Sequence, residues 1–333
     1  MIRYSAGRRA AGFAAAIALG LSGTLGASTA PSAAAHTRPP STGSAYVAMG
    51  DSYSSGEGTM VYESAAHPCH RSPLAYGPLL ARRDKDLRPI RFVACSGAST
   101  TDLPNRNHRN RSEPAQFDAL SPATRTVTLT IGGNDLGFSQ VAFACVKSLV
   151  NVGYGCSKNP LITVPVAIRR AALAGRGEAP AADGSEIVDI PTILAGIHQR
   201  APKAKIYLVG YPDLFGSRRS DFSVDPIAPS GYACRLNDAA QASIDFDDAQ
   251  WFNRSTHLLN RVYKESARHA RAAGIPANYV RPSTFARHGL CDAKKSWINP
   301  VLLDGFTPRS ETFHPTQVGQ RRGYARAVHR AID

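Results

Sequence analysis

Residues 50–58 read GDSYSSGEG and follow the apolar run AYVAM, so several hydroxyl side chains come at the end of a predicted buried strand. A plain turn needs only one or two Gly, Asn, Asp or Ser residues, and this segment holds more. Ser52 lies where the strand gives way to a predicted helix, from which its hydroxyl can project into a cleft. Because a serine hydroxyl is a weak nucleophile until a base takes its proton, the pattern indicates catalysis only with a base nearby. The alternative is an ordinary polar loop.

Histidine is the usual base for such a serine, and the chain has ten histidines. His314 stands out because it lies in a predicted loop, ETFHPTQVGQ, just before the last helix, where the scaffold can hold it near a cleft. Attack on an ester creates an oxyanion, which preorganised hydrogen-bond donors must face. Gly97 in CSGAS offers a bare backbone N–H, and Asn134 in GGND offers a side-chain amide. Together with Ser52, these residues predict an ester hydrolase.

Residues so far apart in sequence need a scaffold that brings them together. Five short apolar runs predict strands, and most are unbroken, as in a parallel sheet covered on both faces. They are AYVAMG, IRFVACS, TRTVTLTIGG, AKIYLVGYP and ANYVRP. Helical patterns separate them, including one predicted over residues 236–273. Ligands bind beyond the carboxyl ends of such strands, where the first three runs all deliver small and polar residues.

The first 35 residues are predicted to be a secretory signal peptide. Three arginines precede a mostly apolar run over residues 10–25, and small residues surround a predicted cleavage point after Ala35. Gly and Ser interrupt the run, which argues against a membrane anchor of about 20 apolar residues. The pair Arg8 and Arg9 leaves both Sec and twin-arginine export open. Residues 36–333 are then predicted to form a single domain of a secreted protein.

All six cysteines lie beyond this signal, and an even number in an exported chain predicts disulfides. Nearest-neighbour pairing is the interpretation we adopt, and it joins Cys69 to Cys95, Cys145 to Cys156, and Cys234 to Cys291. The alternative is a metal site at HPCH, where His67 and His70 flank Cys69. Because this spacing matches neither C-x₂-C nor H-x₃-H, no metal is predicted.

The formal net charge of +14 at pH 7 makes the chain strongly basic. A basic surface favours acidic partners such as anionic lipid headgroups, cell-wall polymers or nucleic acid, or it serves solubility. The arginine-rich segment NRNHRNR, residues 105–111, has no interleaved aromatic residues to stack on bases. We therefore predict no nucleic-acid binding, and transient contact with anionic lipid surfaces remains compatible with the charge.

GDSYSSGEG, Gly97, GGND and HPT, in this order, resemble the four sequence blocks of the SGNH (GDSL) hydrolases. The blocks extend from Gly50 to Thr316, and the six cysteines with the SYSSGEG form of the first block resemble the secreted actinomycete esterase and lipase branch. The resemblance implies an α/β fold, a three-layer α/β/α sandwich with a central, mostly parallel five-stranded sheet. It implies Ser52 as nucleophile, His314 as base, and no metal or organic cofactor. It also implies an oxyanion hole made by the Ser52 N–H, the Gly97 N–H and the Asn134 amide.

Two positions depart from the common pattern of that family. Leu often follows the serine, whereas this chain has Tyr53, and Asp often stands three residues before the histidine, whereas this chain has Glu311. A base histidine needs an acceptor on its other ring nitrogen, which fixes the tautomer and stabilises the imidazolium. We predict the Glu311 carboxylate as that acceptor, and a backbone carbonyl of the same loop is the alternative.

These features predict a secreted, monomeric ester hydrolase acting on lipid carboxylic esters, as a lipase, an esterase or a phospholipase A. Phe138, beside the third block, is expected either at an acyl-binding site or in the core. The rival on the same scaffold is a carbohydrate esterase that removes acetyl groups from polysaccharide. The rival from another class is a catalytically silent binding protein, against which the complete set of Ser, Gly, Asn and His argues.

Overall fold

The strands and helices that position the site lie between Tyr46 and Ile332. The computed structural model describes residues 45–64, 66–147, 155–305 and 307–333. The predicted signal peptide lies outside the described residues. No helix among the described residues is both long enough and apolar enough to cross a membrane.

The described residues form the following strands and helices. The strands are β1 Tyr46–Gly50, β2 Ile90–Phe92, β3 Thr126–Thr130, β4 Val146–Lys147, β5 Lys205–Val209, β6 Ser223–Val224, β7 Tyr232–Asn237, β8 Ala242–Asp245, β9 Ala277–Val280, β10 Leu303–Asp304 and β11 Thr307–Pro308. The α-helices are α1 Ser52–Ser55, α2 Tyr76–Arg83, α3 Gly133–Leu136, α4 Phe138–Cys145, α5 Pro160–Leu173, α6 Ile190–Arg200, α7 Phe246–Ala272 and α8 Arg326–Ile332. A π-helical segment, Gly319–Ala325, leads directly into α8.

The central sheet has five strands in the order β2-β1-β3-β5-β9, and every pair is parallel. All five predicted strands are in this sheet. Because β1 lies between β2 and β3, the segments that follow these three strands leave the sheet at one edge. The predicted parallel sheet and its polar edge are therefore confirmed.

Apolar side chains cover both faces of the sheet, as the unbroken strand sequences predict. Along β1, Tyr46 and Ala48 join one buried cluster with α2 and α8, whereas Val47 and Met49 join a second cluster with α6 and part of α7. Successive strand residues point to opposite faces, so β1 contributes to both cores. The result is the predicted α/β/α sandwich.

The helix predicted over residues 236–273 is too long at its start. Residues 232–237 and 242–245 instead form an antiparallel hairpin, β7 with β8, within a second sheet of order β4-β8-β7-β6. Helix α7 begins only at Phe246, where the side chain of Asp245 accepts a hydrogen bond from the Asp247 N–H and caps the helix. The hairpin escaped prediction because cross-strand pairing, rather than a local pattern, stabilises it.

Three disulfides join Cys69 to Cys95, Cys145 to Cys156, and Cys234 to Cys291. This is the pairing that the order along the chain predicts. The first bridge links the segment after α1 to the loop after β2, both at the polar edge of the central sheet. It therefore restrains two segments that contribute to the site.

Candidate active site

Ser52 is the first residue of α1 and is set in place by the end of β1. Gly50 has a φ of 121°, and an added Cβ would overlap the Thr130 carbonyl, so only glycine fits between the strands. The Asp51 carboxylate caps α1 by accepting from the Tyr53 N–H at 3.0 Å, and it also accepts from the Thr130 and Tyr211 hydroxyls. Burial raises the pKa of Asp51 to about 6, against the lowering effect of these bonds. The GDS triplet thus anchors the serine to the sheet.

His314 lies against Ser52, although 262 residues separate them. The Ser52 Oγ and the His314 Nε2 are 2.8 Å apart, and both residues are more than 90% buried. The His314 Nδ1 is 3.0 Å from the Thr312 carbonyl. A carbonyl only accepts, so Nδ1 carries the proton and Nε2 is free to accept from the serine hydroxyl. This tautomer is the one that a general base requires.

The charge state of His314 also suits a base. Burial lowers the pKa of His314, while the nearby Glu57 carboxylate and the bond to Thr312 partly offset that effect. The imidazole is therefore neutral at pH 7. Phe313, between the acceptor and the histidine, has a φ of 64°, a region that non-glycine residues seldom occupy. This backbone conformation places the His314 ring next to the Thr312 carbonyl, within hydrogen-bond distance of Nδ1.

The prediction that Glu311 orients the imidazole is not supported by its contacts. The Glu311 carboxylate accepts from Arg309 at 2.9 and 3.1 Å and from the Tyr62 hydroxyl at 3.3 Å. The acceptor at Nδ1 is the backbone carbonyl of Thr312, the alternative considered from the sequence. The physical reason is that the neighbouring guanidinium is a stronger partner for a carboxylate than a neutral imidazole is.

Glu57 is a second carboxylate beneath the histidine loop, and the sequence reasoning missed it. It is fully buried, and its carboxylate accepts from the Ser310 hydroxyl at 2.8 Å and contacts the His70 Nδ1 at 2.8 Å. The adjacent Gly58 has no room for a side chain, since an added Cβ would lie 2.8 Å from the His314 Cβ. In the sequence, Glu57 could have been noticed as an acidic residue between two glycines, GEG. A solvent-exposed turn does not require an acidic residue at that position.

Tyr53 joins the serine helix to the histidine loop. Its hydroxyl donates to the Phe313 carbonyl at 2.8 Å, and its ring centroid lies 5.1 Å from that of His314. A leucine at this position cannot make the hydrogen bond. The departure from the common family pattern therefore adds a direct link between the two halves of the site.

A hydrogen bond joins the second and third sequence blocks, and Asn134 of the third block lines the same cleft as Ser52. The Asn134 amide donates to the Ala98 carbonyl at 2.8 Å, which leaves its second N–H available. Asp135 is buried and accepts from the Thr100 hydroxyl at 2.6 Å, and burial raises its pKa to about 7. Gly97, with a φ of 77°, lies in the same loop, and no hydrogen bond among the described residues uses its N–H. The bond from Thr100 to Asp135 therefore links the loop after β2 to α3, which carries Asn134.

A cleft brings Ser52, Asn134 and His314 together, whereas Gly97 and Glu311 are not part of its lining. Much of the rest of the lining is apolar or aromatic. These residues are Tyr53, Phe138, Ala142, Tyr211, Pro212, Leu214, Phe252 and Phe313. Phe138 is therefore at the cleft, one of the two positions expected for it. Phe252 and Leu214 were missed because nothing in their sequence context distinguishes a cleft residue from a core residue.

The HPCH segment does not offer a complete set of metal ligands. His67, Cys69 and Glu113 bring potential ligand atoms within 4.8 Å of one another, but the Cys69 sulfur is bonded to Cys95. His67 pairs with Glu113 at 3.1 Å, and His70 contacts Glu57 instead. A thiolate ligand is unavailable while that disulfide is intact.

Comparisons with known proteins agree with this geometry. Residues 48–322 match the GDSL-like Lipase/Acylhydrolase family. Lipase 1 of Streptomyces coelicolor is 30% identical over 300 residues, which cover 90% of this chain and 91% of that protein. The crystal structure of phospholipase A1 from Streptomyces albidoflavus has a TM-score of 0.60 and 28% identity, covering 86% of this chain and 98% of that chain. An extracellular lipase from Streptomyces rimosus gives a TM-score of 0.59 and 26% identity with the same coverage.

Proposed function

The chain belongs to the GDSL-like lipase/acylhydrolase family and is a carboxylic-ester hydrolase, and we propose that Ser52 and His314 carry out its reaction. The observation that supports this pairing most is the 2.8 Å contact between the Ser52 Oγ and the His314 Nε2. The proton on Nδ1 is held by the Thr312 carbonyl, which leaves Nε2 as the base. Serine and histidine in this relation form an activated nucleophile.

The reaction then proceeds in two halves. His314 takes the Ser52 proton while Oγ attacks the acyl carbonyl, and the imidazolium returns that proton to the departing alcohol. Water, deprotonated by the same histidine, hydrolyses the acyl-enzyme and regenerates the serine. The Thr312 carbonyl stabilises the imidazolium in both halves without needing a carboxylate. Neither half uses a metal ion or an organic cofactor.

We propose that the Ser52 N–H and the Asn134 amide, both at the cleft, bind the tetrahedral oxyanion, and that the Gly97 N–H, in the loop bonded to Asn134, is the third donor that the family resemblance implies. Ser52 begins α1, so its N–H has no partner within the helix. The bond from Asn134 to the Ala98 carbonyl fixes the direction of the amide and ties it to the Gly97 loop. Donors that are already oriented stabilise the transition state without reorganisation.

The substrates are lipid carboxylic esters, and the enzyme acts as a secreted monomer. The apolar part of the cleft, with Phe138, Leu214 and Phe252, suits an acyl chain. The similar proteins include lipases and a phospholipase A1, and one of them is described as extracellular. Three disulfides support export, because such bridges persist in oxidising compartments.

Chain-length profiling with p-nitrophenyl esters from acetate to palmitate tests this proposal. We expect kcat/KM to be higher for medium or long acyl chains than for acetate, because methylene groups are buried in an apolar cleft. Activity on acetate alone would favour a carbohydrate esterase that removes acetyl groups. Absence of hydrolysis with every ester would favour a silent binding protein on the same fold.

A further inference from the structure

Helix α5 presents an apolar stripe to solvent. Leu161, Val164 and Ile168 are 84%, 51% and 50% exposed, whereas Val166 and Leu173 on the same helix are buried. Spacings of three and four residues place the exposed three on one face of a helix. A soluble helix ordinarily turns such a stripe toward its own core. Contiguous apolar groups at a surface mark a site of interaction.

The chain segment that carries this stripe is basic, although Glu265 from α7 pairs with one of its arginines. The segment that contains α5, residues 155–177, has Lys158, Arg169, Arg170 and Arg176 and no acidic residue. Lys158 is exposed at the start of the helix, and Arg176, just beyond its end, is paired with Glu265 at 3.3 Å. An apolar face with basic flanks is complementary to an anionic lipid surface, because basic residues near the headgroups add attraction to apolar burial.

The position of α5 connects the stripe to the cleft. The Cys145–Cys156 bridge joins the end of α4, which lines the cleft through Phe138 and Ala142, to the segment that enters α5. At the other end of α5, Leu173 packs against Gly132, where an added Cβ would lie 3.3 Å away. Gly132 directly precedes α3, which carries Asn134. Both ends of the helix are thus attached to elements of the site.

We propose that α5 docks the enzyme on an anionic lipid surface, with Leu161, Val164 and Ile168 entering the headgroup region. This inference rests on the proposed function, since it supposes that the ester substrate lies in such a surface. Docking through α5 would hold the enzyme at the lipid surface that contains the substrate. The Cys145–Cys156 disulfide joins the segment that enters α5 to α4, which lines the cleft. The occupant is the lipid surface itself, and a second copy of the chain is the competing occupant.

Vesicle sedimentation tests the proposal without requiring catalysis. The parent for binding carries Ser52→Ala, so that vesicles are not hydrolysed during the measurement. The test variant adds Leu161→Ser, Val164→Ser and Ile168→Ser, and the matched control adds Val224→Ser and Ile227→Ser. Val224 and Ile227 are also exposed, at 75% and 67%, but lie on and after β6 of the second sheet rather than on α5. Binding is measured on phosphatidylglycerol and phosphatidylcholine vesicles at low and high salt.

We expect the parent to bind phosphatidylglycerol vesicles at least tenfold more tightly than phosphatidylcholine vesicles, with binding weakened by salt. The α5 variant should lose at least tenfold in partition coefficient, and the matched control should stay within about twofold of the parent. Equal binding by the parent and the α5 variant would overturn the proposal, as would loss only in the matched control. A parent that forms dimers which the α5 substitutions dissociate, without binding vesicles, would also overturn it.

Two further measurements separate this proposal from the proposed function. Thermal unfolding checks that each variant folds, and p-nitrophenyl butyrate hydrolysis by the α5 variant with Ser52 restored checks the reaction in solution. Retained hydrolysis with lost vesicle binding supports docking through α5. Vesicle binding by the Ser52→Ala parent, together with no ester hydrolysis by the protein that retains Ser52, would contradict the proposed function while leaving the docking surface intact.

Discussion

Ser52 follows the central strand β1 and is positioned by the sheet, whereas His314 lies in a loop outside the sheet that is held by a short backbone bridge and by side chains. On the serine side, the Asp51 N–H donates to the Thr130 carbonyl at 2.9 Å, continuing the pairing of β1 with β3. On the histidine side, the Asn299 side chain donates to the Gly58 carbonyl at 2.9 Å, and the Asn299 N–H donates to the His314 carbonyl at 2.9 Å. One region is fixed by pairing within the central sheet, and the other by a short backbone bridge to residues 297–299 together with several side-chain contacts.

Substitutions in the two regions should therefore act differently. A change on the serine side removes a reacting group or its transition-state partner, because the backbone there is held by the sheet. A change on the histidine side alters one of several contacts, so its effect should be smaller and should show in the orientation or pKa of the imidazole. Tyr53 belongs to both regions, since it lies in α1 and bonds the histidine loop.

Ser52→Ala should produce the largest loss. Removal of a nucleophile that acts together with its base costs several powers of ten in kcat. Steady-state kinetics on p-nitrophenyl butyrate should show a loss of at least about 10³-fold. Ser139→Ala is a matched control, because Ser139 lines the same cleft and, among the described residues, makes no hydrogen bond to Ser52 or His314. It should stay within about twofold of the parent, and near-parent turnover by Ser52→Ala would refute the nucleophile assignment.

Asn134→Ala should lower kcat by about 10²–10³-fold with little change in KM, because the oxyanion is charged only near the transition state. The bond to the Ala98 carbonyl is lost as well, so thermal unfolding must accompany the kinetics. A change confined to KM would identify Asn134 as a residue that positions substrate.

Tyr53→Phe tests the link between the two regions. The ring that packs near His314 remains, and only the bond from its hydroxyl to the Phe313 carbonyl is lost. Since a neutral hydrogen bond contributes about 0.5–1.5 kcal/mol, kcat should fall about two- to tenfold. A loss in kcat as large as that of Ser52→Ala would show that the histidine loop depends on this single contact. That result would contradict the expectation that several contacts hold the loop.

Glu311→Gln and Glu311→Ala should each cost less than about tenfold in kcat, because the Thr312 carbonyl survives either substitution. Loss of the acid in a well-studied catalytic triad costs about 10⁴-fold. A loss of several hundred-fold in both variants would return the orienting role to the carboxylate.

Glu57→Gln should act on the pH profile. Burial lowers the pKa of His314, so activity is lost on the acid side only below about pH 6.5, the ordinary value for histidine. Glu57 favours the imidazolium and raises that pKa, so its removal should move the acid limb of kcat/KM to lower pH. Glu311→Gln is the matched control and should move the limb less. A shift of the acid limb to higher pH would contradict the expectation that Glu57 raises the pKa of His314.

The serine side was predictable from the sequence because its determinants are local. A short apolar run, a glycine that must accept a positive φ, and a capping aspartate all lie within seven residues. The histidine loop was predictable only in part. His314 itself was found, but its acceptor depends on the φ of Phe313, and its support depends on Asn299 and on contacts with Glu57 and Gly58, which are more than 240 residues away in sequence from their partners. Spacing alone pointed to Glu311, because the pairing of its carboxylate with Arg309 is a matter of side-chain geometry.

The pairing of Ser52 with His314 is tested most directly by covalent labelling with a fluorophosphonate ester, read by mass spectrometry of the intact protein and its peptides. We expect one label per chain, on the peptide that contains Ser52, with no label on Ser52→Ala. We also expect that His314→Ala labels at least about 10²-fold more slowly, because the hydroxyl has lost its base. Label on another residue, or an unchanged labelling rate in His314→Ala, would contradict this pairing.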